Sequence, residues 1–357
     1  MRRVERGRVG ELSPLRSGVS WATDRWHQDG ANLLSAGMHD WTDVETFFRS
    51  SILPGHAPQA PILKADEPVI TIGSCFAEEL RRALETGGFA SSNFFVPNGL
   101  NNTFAVCDFM SWCATGEATE AGWSYERHQD GTISEWTPSD ERERYRTYLE
   151  HAGAFVFTLG LAEVWEDIPT GKIFWRGVPD SIFDAGRHRF RLSTVDENVR
   201  NIRDIVAMVR TVNERAPIVI TLSPVPLRAT FRDISCVTAD CVSKSVLRVA
   251  IDQAMSDATE GVFYWPSFEL VKWVGAVVPW SAYGSPDARH VNTYLIQTAV
   301  KSFIRAFYGV EAESQFTTRS RPLRQPRKLT TDRQRTLTRA RWKGEMILTR
   351  YRARRAS

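Results

Sequence analysis

The chain has 357 residues, of which 42% are hydrophobic, and a formal net charge of +3. No run reaches the roughly 20 apolar residues of a membrane span, and the charged start Met1-Arg2-Arg3 has no apolar signal-peptide core behind it. The composition therefore predicts a globular protein without a transmembrane segment, cytoplasmic by default, with ample material for one sizeable domain and two extensions.

Four short apolar runs, rich in β-branched and aromatic residues, are predicted strands that alternate with helical patterns. In chain order these runs are residues 69–72, 155–159, 218–222 and 262–265. Strands that alternate with helices are typical of a mainly parallel sheet with helices on both faces. The fold class predicted is therefore α/β, with three layers in the order α/β/α.

Ser74 lies where the first predicted strand meets a helix. A helix face is indicated by the spacing of Phe76, Leu80, Ala83 and Leu84. Gly73 permits a tight turn, and a strand-to-helix turn aims a side chain outward at the carboxyl edge of a sheet. The first N–H groups of a helix also favour negative charge. Ser74 is thus a candidate nucleophile, and a helix N-cap is the alternative.

Cysteine usage adds a second candidate nucleophile. The chain has five cysteines in an odd, unpaired pattern: Cys75, Cys107, Cys113, Cys236 and Cys241. Without C-x-x-C pairs they predict buried reduced thiols rather than a disulfide framework or a zinc ribbon. Cys75 is the exception, because a thiol at a helix start can ionise and replace Ser74 as nucleophile. No phosphate-binding glycine loop or histidine cluster appears, so no cofactor or metal is predicted.

Two hairpin insertions are predicted between the strands, at residues 125–136 and 165–175, which turn on Asp130-Gly131 and Thr170-Gly171. Four tryptophans lie in or beside these hairpins: Trp123, Trp136, Trp165 and Trp175. They fit either an aromatic wall for a sugar or ordinary core packing. Further along, His188 is a candidate substrate contact.

Two helices are predicted after the second hairpin. Thr194 and Glu197 have the spacing of a capping box, which marks the start of the first. The second is predicted from about Ser243. There Ser243 and Lys244 are interpreted as a capping serine and a solvated lysine, with contact to an anionic group as the alternative.

Asp287 and His290 precede the last strongly periodic helix of the sequence. Its apolar stripe consists of Leu295, Ile296, Val300, Phe303, Ile304 and Phe307. Asp287 and His290 are three residues apart, so both side chains can lie on one side of a turn. A serine nucleophile needs a base, and the base needs an orienting acid. The alternative is a helix-entry aspartate with a surface histidine.

Gly73-Ser74-Cys75-Phe76-Ala77 is the signature of the GSCFA domain family, which resembles the SGNH (GDSL-like) hydrolases and acyltransferases. Further blocks follow in order at residues 157–165, 223–227 and 243–248, and then at Asp287 and His290. The resemblance implies a flavodoxin-like fold of SGNH type, with Ser74 as nucleophile, His290 as base and Asp287 as its orienter. It also implies a serine-dependent esterase or O-acyltransferase that acts on an acylated hydroxyl, of a carbohydrate or polysaccharide.

The same resemblance implies an oxyanion hole built from the nucleophile's N–H, a glycine N–H and an asparagine side chain. Gly99 is the candidate glycine, whereas the block at Gly160 has no asparagine where G-x-N would fall. The candidates for a substitute amide are Asn98, Asn101 and Asn102. Glu163 either holds the loop or touches a substrate hydroxyl. The alternative for the asparagine-rich stretch is a turn that ends in a helix cap at Asn102 or Thr103.

The net charge differs in sign between the C-terminal segment and the rest of the chain. Residues 315–357 carry 14 Lys or Arg and two acidic residues, a net charge of +12, which leaves −9 for residues 1–314. Three segments are predicted: an extension (1–60) that packs its aromatic residues on the domain, the GSCFA/SGNH-like domain (61–312), and a basic, flexible tail (313–357). The tail is predicted to bind a polyanion, either nucleic acid, anionic lipid or anionic glycan. The alternative function is a catalytically degenerate binding or scaffold protein that works through this tail.

Overall fold

The computed structural model describes residues 43–94, 100–116, 125–135, 142–256, 260–284 and 289–320 of the chain. Within them, five parallel strands form the central sheet: β1 (Val69–Gly73), β2 (Ser91–Ser92), β5 (Ala154–Leu159), β9 (Ile218–Leu222) and β10 (Val262–Trp265). Their order across the sheet is β10-β9-β5-β1-β2. This is the flavodoxin-like order of a doubly wound sheet, so the predicted fold class is confirmed.

Helices cover both faces of this sheet. One layer contains α3 (Thr103–Thr115), α4 (Arg142–Glu150), α5 (Val195–Val212) and α6 (Cys236–Ser256). The other contains α1 (Val44–Phe47), α2 (Cys75–Gly87), α7 (Ser267–Val277), α8 (Thr293–Tyr308) and α9 (Val310–Arg319). Successive side chains of a strand point to opposite faces, so Ile70 packs in the first layer's core and Val69 in the second's.

Local sequence signals determine the start of one of these helices and the buried face of another. Thr194 and Glu197 form the predicted capping box, in which each side chain accepts a hydrogen bond from the other residue's backbone N–H. In α8 all six residues of the predicted apolar stripe are buried. Both predictions are confirmed.

Both predicted hairpins are present. Strands β3 (Tyr125–Arg127) and β4 (Ile133–Glu135) pair antiparallel around Gly131, and β6 (Glu163–Asp167) pairs with β7 (Lys172–Ile173) around Gly171. A strand that the sequence pattern did not reveal, β8 (His188–Leu192), pairs with the other edge of β6. The second hairpin is therefore part of a small three-stranded sheet.

The prediction for the start of α6 is wrong. The helix begins at Cys236, one to two turns before Ser243. Ser243 and Lys244 consequently lie inside the helix and are fully buried, rather than at a cap and in solvent. The Ser243 hydroxyl accepts a hydrogen bond from the Ala162 N–H (2.9 Å), and the Lys244 ammonium donates one to the Gly160 carbonyl (2.8 Å). These contacts replace the water that both groups lose on burial.

The two ends of the described chain pack on the second helical layer. Phe48, which belongs to the predicted extension, is buried with its ring 5.6 Å from the ring of Trp265. At the other end, α9 crosses the boundary predicted after residue 312, and its Glu313 and Phe316 are buried. Residues 313–319 therefore belong to the packed body, because their apolar and ion-pair contacts are made with it. Residues 1–42 and 321–357, with Trp21, Trp26 and Trp41, lie outside the described residues.

Helix length and composition give one further result. Among the residues that the structure describes, no helix is both long enough and apolar enough to cross a membrane.

Candidate active site

Ser74 follows β1 at the point where the chain connections leave the sheet in opposite directions. In this strand order that point lies between β1 and β5, where open α/β sheets bind ligands. Gly73 makes the turn, with φ of +127°, and a Cβ on it would lie 2.1 Å from the Thr158 carbonyl oxygen. The Ser74 hydroxyl caps α2 by accepting a hydrogen bond from the Phe76 N–H (3.3 Å). Ser74 is therefore the predicted N-cap, and it lies directly after β1 at the carboxyl edge of the sheet.

The Ser74 hydroxyl also contacts Ser223. Its Oγ donates a hydrogen bond to the Ser223 Oγ at 2.9 Å. Ser223 follows β9 and is only 1% exposed, and its N–H donates to the Leu159 carbonyl (2.7 Å). Gly160 lies beside both serines, since a Cβ on it would meet the Ser74 Cβ at 3.7 Å and the Ser223 Cβ at 3.6 Å, which are ordinary contact distances.

Two cavities flank the first turn of α2. Ser74 lines one of about 280 Å³, together with Thr71, Asn93, Phe94 and Leu100 among others. His290 lines the second, of about 130 Å³, together with Cys75, Phe76, Glu79 and Val225 among others. The predicted base therefore lines the same cavity as Cys75, the residue after Ser74, whereas Ser74 itself lines the other cavity. Cys75 is exposed in this cavity, so the thiol alternative remains open.

Hydrogen bonds to backbone carbonyls hold the His290 segment together and, through two side chains, against the segment that follows Ser223. The His290 carbonyl accepts from the Gly284 N–H (3.0 Å), and the Tyr283 hydroxyl donates to the Pro224 carbonyl (3.1 Å). The Arg289 Nε donates to the Pro226 carbonyl (3.2 Å). The position of His290 is consequently tied to that of Ser223. Three predicted site residues lie outside the described residues: Asn98, Gly99 and Asp287.

Three of the described candidates for oxyanion donors are bonded within the fold, whereas the buried side-chain oxygen of Asn101 has no hydrogen bond within the described residues. The Ser74 N–H donates to the Thr158 carbonyl (3.2 Å), and the Gly160 N–H donates to the Asn101 carbonyl (2.8 Å). Asn102 caps α3, as its structural alternative predicts, and its side-chain N–H donates to the Trp175 carbonyl (2.9 Å). An oxyanion would therefore need the Asn101 amide, a donor outside the predicted set or a rearrangement of these bonds.

Two buried charged residues support the loops around Gly160. Glu163 accepts from the Arg232 guanidinium (3.3 Å) through Oε1, and its buried Oε2 has no hydrogen bond within the described residues. Glu163 is therefore paired with the loop after β9 through Arg232. Burial lowers the pKa of Lys244 to about 8, although the nearby Asp240 carboxylate acts in the opposite direction.

The family model of the GSCFA family matches residues 68–303, and this range contains Ser74, Ser223 and His290. The chain belongs to the GSCFA family. A comparison with curated proteins finds no match for this GSCFA protein.

Two solved structures are similar to this GSCFA protein at low identity. One is an acetyl xylan esterase (Est2A) from the rumen bacterium Butyrivibrio proteoclasticus, with 14% identity and a TM-score of 0.32, over 70% of this chain and 65% of that one. The other is a carbohydrate esterase family 2 enzyme with a carbohydrate-binding domain from Corynascus thermopiles (Myceliophthora fergusii), with 14% identity and a TM-score of 0.27, over 62% and 69%. At these scores neither likeness supports an argument about activity. The chain spans slightly less than two thirds of the acetyl xylan esterase.

The described tryptophans of the GSCFA protein divide between the core and the surface. Trp175 is completely buried, as the core-packing alternative predicts. Trp165 packs against Phe183, Phe190 and Phe231, of which Phe183 is 47% and Phe231 70% exposed. We call these four residues the aromatic surface. Trp123 and Trp136 lie outside the described residues.

His188, predicted as a candidate substrate contact, is buried at the start of β8. Its Nδ1 accepts from the Asp184 N–H (3.1 Å), and its ring packs edge-on against Phe174. These contacts stabilise the small sheet. Sequence reasoning did not single out Ser223, the contact of Ser74, although it begins one of the family blocks and directly follows a predicted strand.

Proposed function

We propose that this GSCFA protein is a serine-dependent esterase or O-acyltransferase that acts on an acylated hydroxyl. Ser74 is the nucleophile, His290 the base and Asp287 the acid that orients it. The main support is the position of the Ser74 hydroxyl, which lies at the carboxyl edge of the sheet and opens on a cavity. It also lies at the first turn of α2, where free N–H groups favour the negative charge that develops during acyl transfer.

The reaction proceeds in two displacement steps. The Ser74 Oγ attacks the ester carbonyl carbon while its proton passes to the His290 imidazole. The bond to the alcohol then breaks, and the departing alcohol takes the proton from the imidazolium. Water or a second hydroxyl attacks the acyl-enzyme in the same way and releases Ser74. Hydrolysis and transfer differ only in this acceptor.

An acylated carbohydrate is the substrate class we propose. Its support is the aromatic surface, because flat rings offer extended apolar contact to a ligand that also presents hydroxyl groups. Trp165 lies two residues after Glu163 in β6, and Phe231 directly precedes Arg232, the partner of Glu163. The aromatic surface is therefore anchored to the same loops that surround Gly160.

Covalent labelling tests the nucleophile. A fluorophosphonate probe should modify Ser74, identified by peptide mass spectrometry, and Ser74→Ala should abolish both labelling and turnover of 4-nitrophenyl acetate. Loss of the cap should cost only about 1 kcal/mol, so the variant should remain folded. Cys75→Ala is the matched control and should still be labelled. Alkylation of Cys75 that silences an enzyme whose Ser74 stays unlabelled would identify a thiol enzyme instead.

Competition in the same assay tests the substrate class. An acetylated oligosaccharide should slow the labelling of Ser74, and its deacetylated form should do so less. Equal protection by the two forms would contradict recognition of the acyl group at this site.

The second candidate function is a degenerate binding protein, favoured by the committed donors around Ser74. This function predicts a folded protein that neither reacts with the probe nor hydrolyses the aryl ester, yet binds a polyanion through residues 321–357. Labelling of Ser74 together with turnover would exclude it.

A further inference from the structure

Ser223 is the side chain in hydrogen-bond contact with the nucleophile of the proposed function. Its Oγ lies 2.9 Å from the Ser74 Oγ and accepts the Ser74 proton in a hydrogen bond. The backbone around it is fixed, because the Ser223 N–H continues the sheet ladder to the Leu159 carbonyl (2.7 Å). With 1% exposure, the side chain has almost no contact with solvent.

The hydroxyl hydrogen of Ser223 is not used in any of the hydrogen bonds that its side chain makes within the described residues. A serine hydroxyl has two acceptor positions and one donor. The acceptor positions receive the Ser74 hydroxyl (2.9 Å) and the Val225 N–H (3.3 Å). Within the described residues, no acceptor takes the hydrogen of Ser223 itself. A buried donor without an acceptor is costly, so an oxygen atom that arrives at Ser74 would be stabilised by it.

Three of the other predicted donors around Ser74 are already engaged. The N–H groups of Ser74 and Gly160 bind backbone carbonyls, and the Asn102 amide binds the Trp175 carbonyl. The Ser223 hydroxyl differs from them, because its hydrogen can turn about the Cβ–Oγ bond without breaking a backbone contact.

We infer that Ser223 is a second catalytic serine, which donates a hydrogen bond to the oxyanion formed on Ser74. The inference rests on the proposed function. It supplies the donor that the missing asparagine after Gly160 would otherwise provide. Loss of one such donor from an acyl-transfer site typically lowers kcat by about 10²–10³.

Ser223 keeps its proton throughout the attack of Ser74 on the ester carbonyl. In the resting site Ser223 accepts the Ser74 hydrogen. When that hydrogen moves to His290, the Ser74 Oγ bonds to the carbonyl carbon and the carbonyl electron pair moves onto oxygen. This oxyanion and the Ser74 Oγ share one carbon, so a donor beside one oxygen lies within reach of the other. The Ser223 hydrogen then turns to the oxyanion, and it turns back once the carbonyl reforms.

Kinetics of Ser223→Ala test the inference. We expect kcat for 4-nitrophenyl acetate to fall about 10²-fold or more, with KM changed less than about threefold, because the lost bond forms only after attack. Affinity for a trifluoromethyl ketone, which forms a tetrahedral adduct with serine, should fall in parallel with kcat/KM. A purely structural role would not produce this correlation. The control is Ser267→Ala, at another fully buried serine, whose hydroxyl donates to the Leu222 carbonyl; it should leave both quantities within about threefold.

The outcomes separate the two proposals. An active wild type whose Ser223→Ala variant keeps kcat within threefold overturns the role of Ser223 and leaves the proposed function intact. A wild type that is neither labelled nor active overturns both. If Ser223→Ala fails to fold, Ser223→Cys decides instead, since it keeps the shape with a weaker donor and should lose at least about tenfold in kcat.

Discussion

At the scale of single residues, the two glycines beside Ser74 serve different purposes. Gly73 has a left-handed backbone conformation, and its missing Cβ makes room for the Thr158 carbonyl. Gly160 has neither constraint, because a Cβ there would meet its neighbours at ordinary contact distances of 3.6–3.7 Å. The requirement for glycine at position 73 is therefore one of folding. Position 160 has no such folding requirement, and a methyl group there would contact both serines.

Alanine substitutions separate these purposes. Gly73→Ala should destabilise the fold severely, because a backbone oxygen would have to move and the φ angle is unfavourable for alanine. Gly160→Ala should leave the melting temperature unchanged and lower kcat/KM by about tenfold or more, since its methyl fills the gap beside the reacting oxygens. The control is Gly177→Ala, which has nothing within 4 Å of the new Cβ. Full activity in a folded Gly160→Ala protein would contradict this assignment.

Burial of Lys244 predicts a dependence of stability on pH. Because burial lowers its pKa to about 8 from 10.5, the folded protein holds it neutral between these values while the unfolded chain keeps it protonated. Unfolding then takes up a proton, so its free energy should rise with pH in this window, by about 1.4 kcal/mol per pH unit. Below about pH 8 both states are charged and the rise vanishes.

Denaturant titrations of Lys244→Met between pH 7 and 10.5 check this expectation. The variant should lack the rise that wild type has above pH 8. Lys272→Met, at an exposed lysine of α7, controls for the loss of one positive charge. A Lys244→Met protein that retains the full rise would assign the titration to another group.

The burial of Lys244 also illustrates where sequence reasoning ends. Lysine is almost never fully buried unless it is paired, so a solvated side chain was the natural prediction. The carbonyl that it binds belongs to Gly160, which lies 84 positions away in the chain. The Ser74–Ser223 bond likewise spans 149 positions. Both contacts depend on the order of strands across the sheet, which periodicity does not encode.

At the scale of secondary structure, α9 ties both ends of the described chain to the body. Its Glu313 carboxylate pairs with Arg49, just after α1, and with Arg305 of α8 (2.8 Å). Burial of Glu313 works to raise its pKa, but the bonds from Arg305 and Arg49 outweigh it and hold the pKa below the ordinary value. The depressed pKa means that the carboxylate stabilises the folded state above the unfolded pKa of about 4.5. This stabilisation is lost as pH falls through the folded pKa.

Glu313→Gln should therefore lower the free energy of unfolding at pH 7 by about 2 kcal/mol, the range for hydrogen bonds to charged groups. The difference from wild type should shrink as pH falls below 4. Glu311→Gln, an exposed acid in the same first turn, is the matched control and should change stability little. Equal effects of the two variants at pH 7 would show that Glu313 acts through the helix dipole alone.

Helices and strands were predicted correctly where the pattern of apolar residues extended over several positions. The four strands of continuous apolar sequence and the stripe of α8 were predicted because burial on a sheet or helix face dictates residue type. In contrast, β2 consists only of Ser91 and Ser92. A polar strand of two residues is too short to show the alternation of apolar and polar residues that marks a strand. The first turns of α6 begin at Cys236 with mixed polarity and mostly exposed or half-buried side chains, so they show no amphipathic pattern. Their start is marked instead by Ser235, whose hydroxyl accepts a hydrogen bond from the Thr238 N–H (3.1 Å).

At the scale of the whole molecule, charge is separated along the chain. Residues 321–357 carry 13 Lys or Arg and two acidic residues, a net charge of +11, on a chain whose total is +3. Cationic segments of this density attract polyanions through counterion release, which weakens steeply as salt rises. The mechanism that we propose assigns no role to this segment.

Deletion of residues 321–357 should leave ester turnover and the melting temperature unchanged. It should also abolish a salt-sensitive affinity for heparin, measured by titration between 50 and about 200 mM salt. The attraction between the tail and heparin depends on the charge of the tail and not on the order of its residues. A tail of the same composition in shuffled sequence should therefore restore binding. Heparin binding that survives the deletion would place the polyanion site on the body.

The exposed thiol of Cys75 offers a chemical route to the acceptor of the acyl group. All five cysteines are free thiols, and only Cys75 and Cys241 among them are exposed. Cys241→Ser would therefore leave one readily modified thiol, in the cavity that His290 lines. Small thiols that carry sugar, lipid or peptide fragments could be captured there by reversible disulfide exchange. The fragments enriched on Cys75 at equilibrium would show which class of chemical group, sugar, lipid or peptide, this cavity binds best, whatever the natural substrate is.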